Sequence, residues 1–279
     1  MEELILIATP IAAVLAAGFV WNKTRQRLGN VPAGLLSLVA AAVVGSAIAL
    51  SGHFARIALT HASDDYAWDQ IRAGLQKADV GIAAFFEADP VLEQAFRQGI
   101  VPLYRQYRND PDRLRAASEQ FGASLFRTII APKAMHGSAE SVLEWGQAQT
   151  AYLKELAAIS KQYCGEVAIG SNASLAKIGK RIAPALNRVL AATVSAYKSS
   201  DPKNLMPTDS DMEPVWKEVF LGAGTPFTPD DVAAFEQIMT IPAERACDLT
   251  LAFMARVLAL PAGERTMTLR WVLREVGKG

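Results

Sequence analysis

Cys164 and Cys247 are the only thiols in the 279 residues. Thiols admit three roles: disulfide partner, nucleophile or inert packing. A nucleophilic cysteine normally works with a histidine. The chain has three histidines, and nothing around Cys164 matches a nucleophile motif. Two readings stay open. In an oxidising compartment the pair would close a loop of about 80 residues and stabilise the fold by roughly 4 kcal/mol in the chain-entropy picture. In a reducing one, both are small apolar side chains.

His61, Asp65 and Asp69 follow at steps of four. On one continuous helix they would line a single face, where an imidazole and two carboxylates form a metal-ligand set. Ser63, however, is a good N-cap, and Asp64 and Asp65 then fall in a first turn, where the helix dipole favours acids. Solvated capping is the expectation for this trio, with metal binding the alternative.

Trp68, Phe85, Phe86, Phe96, Tyr104, Tyr107 and Phe121 recur at helical spacing and read as core rather than as a ligand cavity. Arg105, Arg108, Arg113 and Arg115 are interleaved with Asp110 and Asp112, the pattern of a surface with local charge pairs. No phosphate loop, dinucleotide fingerprint, nucleophile elbow or HExxH motif occurs. No catalytic residue and no cofactor is therefore assigned.

Composition narrows the class further. Lysine plus arginine and aspartate plus glutamate each number 28, 51% of residues are apolar and 20% are charged. Such a chain is neither disordered nor a general nucleic-acid binder.

The elements that must hold these residues begin with two apolar runs. No ionisable residue occurs from Leu4 to Trp21 or from Leu28 to Gly52. A bilayer core needs roughly 17–25 helical residues, so residues 1–52 read as a transmembrane helical hairpin, with spans about 4–21 and 31–52 and a connector at 22–30. The start Met1-Glu2-Glu3 lacks the basic region of a signal peptide. The connector carries Lys23, Arg25 and Arg27 and no acid. The positive-inside rule therefore puts it in the cytoplasm, with both termini and the large domain on the periplasmic side of a bacterial inner membrane.

Residues 53–279 read as helices throughout. Asp89-Pro90 and Asp110-Pro111 each pair an N-cap with a proline at the first helical position. A helix with Trp68, Leu75 and Phe85 on one face, one from Pro90 to Tyr107 and one from Pro111 to near Pro132 are expected. Ser141 and Glu144 have capping-box spacing ahead of a helix running past Tyr163 to Gly165. A helix from about Ser174 to Lys198, kinked at Pro184, precedes a long loop from Ser199 to Thr208, where a sub-boundary near 200–210 is allowed. Helices at about 211–221, from Thr228-Pro229, at 242–260 and at 262–276 complete the chain.

The fold class expected is thus all-α: a two-helix transmembrane hairpin followed by a multi-helix bundle. The expected function is a membrane-anchored, non-catalytic interaction or scaffold protein of the cell envelope. Its partners would be the lipid bilayer and either another protein or further copies of itself, with no nucleic acid. The alternatives are a small-molecule or metal sensor coupled to a membrane partner and, further off, an enzyme using carboxylates of the bundle.

Overall fold

The computed structural model describes residues 64–77, 82–169 and 178–278. The transmembrane hairpin expected at 1–52, with its determinants Lys23, Arg25 and Arg27, lies outside them, as does His61. Within the described residues the protein is an all-helical bundle without strands, and no helix there is long and apolar enough to cross a membrane.

Capping chemistry sets many of the boundaries. Helix α1 spans Asp64–Lys77 and α2 Ile82–Ala88. The single helix expected from Trp68 to Phe85 is thus described as two, on either side of residues 78–81, which are not described. Asp89 then caps α3 (Pro90–Tyr107), its carboxylate accepting the Val91 and Leu92 amides at 3.0 and 3.3 Å. Asp110 caps α4 (Pro111–Leu125) in the same way, through the Arg113 amide.

Pro132 does not stop the helix that α4 begins. The chain widens into a π turn at Phe126–Ile130, where the Ala131 amide reaches the Phe126 carbonyl, and continues as α5 (Ala131–Ala134). Pro132 falls in the first turn of α5, where a missing N–H is tolerated. The register change absorbs the proline.

Helix α6 (Ala139–Ile159) starts three residues earlier than the Ser141–Glu144 spacing suggests. Ser138 is the N-cap, its Oγ accepting the Ser141 amide at 3.2 Å. Ser141 is instead buried inside the first turn. The helix ends before Tyr163, because Ser160 adopts extended backbone and a separate helix α7 (Lys161–Ile169) begins. Gly165 lies inside α7 and does not terminate it. A Cβ there would overlap the Ala243 carbonyl oxygen, so this glycine lets two helices touch backbone to backbone.

Helix α8 spans Gly179–Lys198, and the loop 199–208 leads to α9 (Asp209–Leu221). Helices α10 (Pro229–Glu236), α11 (Ala243–Ala259) and α12 (Ala262–Lys278) follow, α12 running through the expected stop at Gly277. Thr208 and Thr228 open α9 and α10 with capping boxes completed by Asp211 and Asp231. In each box the threonine's hydrogen bonds hold the aspartate below the usual carboxylate range.

Helix α6 is the axis of the bundle. It packs along α8 and touches α7, α11 and α12, while α7 lies closely against α11. Helices α1 to α4 pack on one another and join the rest through α2 against α8 and through the π turn and α5 against α12. Aromatic rings fill two regions. Near α3, Trp68, Phe86, Phe96 and Phe121 form a chain of contacts with centroids 5.2–6.0 Å apart. Near α9, Phe220 meets Phe227, Phe235 and Phe253 at 5.1, 5.3 and 6.0 Å. Buried residues from Ala67 to Leu273 belong to one core, including those on both sides of the loop 199–208.

Candidate functional site

The two cysteines meet. Cys164 on α7 and Cys247 on α11 are joined by a disulfide, with Cα atoms 5.3 Å apart and a sequence separation of 83. Both are fully buried. The close approach at Gly165 and the bond at Cys164 act on adjacent residues of α7 and hold the same helix pair together.

The two acids of the expected metal set both lie on α1. Asp65, at the start of α1, pairs with Arg97 of α3, and Asp69 is exposed. Among the described residues no three histidine, cysteine, aspartate or glutamate side chains converge as metal ligands. In the arginine cluster, Arg113 pairs with Asp110 at 3.3 Å and Arg115 with Asp112 at 3.1 Å.

Two adjoining hollows run along α3. One hollow of about 380 Å³ is lined, among the described residues, by Trp68, Pro90, Glu93, Gln94, Arg97 and Gln98. A second, of about 650 Å³, is lined by Arg97, Gln98, Val101, Pro102, Arg105 and Gln106. They share Arg97 and Gln98, so the trough follows the helix for some four turns. Its α3 residues form two neighbouring rows with a step of four, and Val101, buried, forms part of the floor.

Asp89 ties three elements beyond its capping role. Its Oδ2 accepts from Tyr197 Oη at 2.6 Å and from Lys133 Nζ at 3.1 Å, and the Lys133 ammonium lies 4.0 Å from the centroid of the Tyr197 ring. The Tyr197 hydroxyl, followed by Lys133, holds the Asp89 carboxyl down to about 2. Burial and the same hydrogen bond push the Tyr197 phenol upward. With the acid fixed as carboxylate and the phenol fixed as neutral, the pair does not exchange a proton near neutral pH. It is a structural tie.

A second polar junction pins the loop 199–208. Asn204 Nδ2 donates to the carbonyls of His136 and Gly137 at 2.8 and 3.3 Å. The Arg270 guanidinium donates to the same Gly137 carbonyl at 2.9 Å, and burial lowers its pKa. The Ser141 and Ser199 hydroxyls lie 2.6 Å apart. Arg274 donates to the Pro207 carbonyl, Asp209 and the buried Glu275.

The middle of α6 gathers several buried polar groups on one face, although the Trp216 and Trp271 indoles elsewhere in the core also lack a hydrogen-bond partner among the described residues. Val142, Trp145, Gln149, Tyr152 and Leu156 follow at steps of three and four, and all are buried. Trp145 Nε1, both ends of the Gln149 carboxamide and Tyr152 Oη have no hydrogen-bond partner among the described residues. An unmet buried polar atom costs about 1–3 kcal/mol. The core's other hydroxyls avoid that cost: Thr150, Thr193, Thr250 and Thr268 each donate to the carbonyl four residues back at 2.7–2.8 Å.

Neither the Asp89 tie nor Gln149 is singled out by the sequence reading. Asp89 is recognised only as a cap, because Lys133 and Tyr197 are distant in the chain. Gln149 had a local signal: a carboxamide at a central position of an apolar helical stripe. No protein-family model, no curated protein and no solved structure matches this chain.

Proposed function

We propose that the chain is a membrane-anchored, non-catalytic interaction protein of the bacterial cell envelope. Its N-terminal hairpin would hold the helical bundle at the outer face of the inner membrane, and the bundle would dock a protein partner or a second copy of itself. The observation that carries this reading is the buried Cys164–Cys247 bond, since persistent disulfides belong to oxidising compartments. It agrees in direction with the cytoplasmic placement expected for Lys23, Arg25 and Arg27. The trough along α3 supports the docking role. It sits on the third described helix after the anchor, and its exposed Gln94, Gln98 and Gln106 supply uncharged donors and acceptors along one face.

Two measurements test the proposal. Alkaline phosphatase fused after Gly279 is expected to be active, and an inactive fusion overturns the export. A pull-down from solubilised membranes is expected to enrich a partner or untagged copies of the chain over an anchor-only control. The double change Gln98→Glu and Gln106→Glu is expected to abolish that enrichment, and its persistence in this variant removes the α3 trough as the docking face.

A further inference from the structure

The buried polar stripe of α6 is the strongest chemical feature that the docking role leaves unused. We propose that Trp145, Gln149 and Tyr152 form an internal binding site for a small uncharged ligand that both donates and accepts hydrogen bonds. This inference stands independently of the α3 trough.

The three residues occupy positions i, i+4 and i+7 of one helix. At 100° per residue they fall in a sector about 60° wide, along about 10 Å of helix axis. Their relative exposures are 1%, 2% and 0%. Bulk solvent therefore reaches none of them, and their polar ends find no partner among the described residues.

Hydrogen-bond inventory sets the ligand class. The Trp145 indole and the Gln149 amide nitrogen need acceptors, the Gln149 oxygen needs a donor, and the Tyr152 hydroxyl takes either. One species must offer both. An ionic ligand does not fit, because Tyr152 is the only ionisable side chain on this face of α6 and burial pushes its phenol further from ionisation. The two buried carboxylates among the described residues are engaged elsewhere, Asp231 with Thr228 and Arg245 and Glu275 with Arg274. An ion would be desolvated without a counter-charge.

Water and a small organic amide or alcohol share the required chemistry. Either would sit on the helix that packs against α7, α8, α11 and α12, so its occupancy would bear on the packing of all four.

The test uses the full-length chain in detergent micelles with Tyr152→Phe and Gln149→Met. Each change replaces a polar end by an apolar one of similar shape. Removing a hydroxyl or amide that holds a ligand is expected to lower Tm by about 2–4 °C. Removing one that is truly unpaired raises Tm or leaves it unchanged, and either result in either variant overturns the proposal. Selective 15N-glutamine labelling separates lost binding from altered packing. The Gln149 amide protons are expected to show a nuclear Overhauser effect to a non-protein proton, and without one the proposal fails whatever Tm does. Mass spectrometry of a solvent extract then distinguishes the sources. A neutral compound at one per chain, missing from the Tyr152→Phe preparation, assigns an organic ligand, and its absence beside a positive Overhauser effect assigns water.

Discussion

The Tyr197 hydroxyl donates to Asp89 Oδ2 at 2.6 Å across 108 residues of chain, so the cap of α3 is also the anchor of the C-terminal turn of α8. One carboxylate thereby joins local helix initiation to the packing of the two ends of the bundle.

Acid should loosen this joint. The Asp89 carboxyl titrates at about 2 in the folded protein and near 4 when unfolded, so the folded state binds fewer protons between these values. Its contribution is complete above about pH 4 and is lost as pH falls toward 2. Asp89→Asn keeps a capping side chain but no charge. Urea melts from pH 2 to pH 5 are expected to show a flatter acid limb for this variant than for the unmodified chain.

Removing the other partner should act at neutral pH. Tyr197→Phe deletes a buried donor to a charged acceptor, a bond of about 1.5–3 kcal/mol. Chemical denaturation at pH 7 should show a loss of that order. Asp89 would also titrate higher, moving the acid transition upward.

The disulfide should be silent to thiol reagents until the domain is both unfolded and reduced. With both sulfur atoms buried, a maleimide is expected to label neither cysteine in the native chain or in denaturant alone, and both after denaturation with reductant. The double substitution Cys164→Ala and Cys247→Ala should lower stability by about 2–5 kcal/mol. Labelling of the unfolded, unreduced chain would show that the bond is absent.

Gly165→Ala should be more disruptive than its size suggests. The added methyl meets the backbone carbonyl of Ala243, which cannot rotate away. Overpacking of this kind costs about 1–3 kcal/mol, and by prising α7 from α11 it should also slow reoxidation of Cys164 with Cys247. Refolding with a thiol assay reads both effects.

Asn204→Ala should free the loop after α8. It deletes the two donations to His136 and Gly137 while leaving the surrounding helices intact. Trypsin cleavage at the exposed Lys203 is expected to accelerate with little change in Tm. Equal cleavage rates would show that Arg274 and the serine contacts suffice to pin the loop.

Much of the helical architecture is legible in the sequence because it rests on short-range chemistry. Asp-Pro pairs at 89–90 and 110–111 and the Thr-Pro-Asp-Asp run at 228–231 start helices because a side-chain oxygen and an orphan amide lie within three residues of each other. The apolar period places Phe96, Trp145, Leu186 and Phe253 inward for the same reason. Where the local signal was ambiguous, long-range contact chose. Ser141 could cap a helix by itself, but Ser138 does so while Ser141 turns to Ser199. Gly165 could end a helix, but it lies inside one because α11 needs the space.

Spacing and composition alone determine the all-helical class, the placement of most caps and the inward faces, for these follow from backbone geometry and hydrophobic burial within a few turns. The fold decides what depends on elements far apart in the chain: that Cys164 meets Cys247, that Asp89 receives Lys133 and Tyr197, that Asp65 is drawn to Arg97, and that Gln149 is buried. Such contacts are set by how whole helices pack, and no local pattern encodes which distant side chain will arrive.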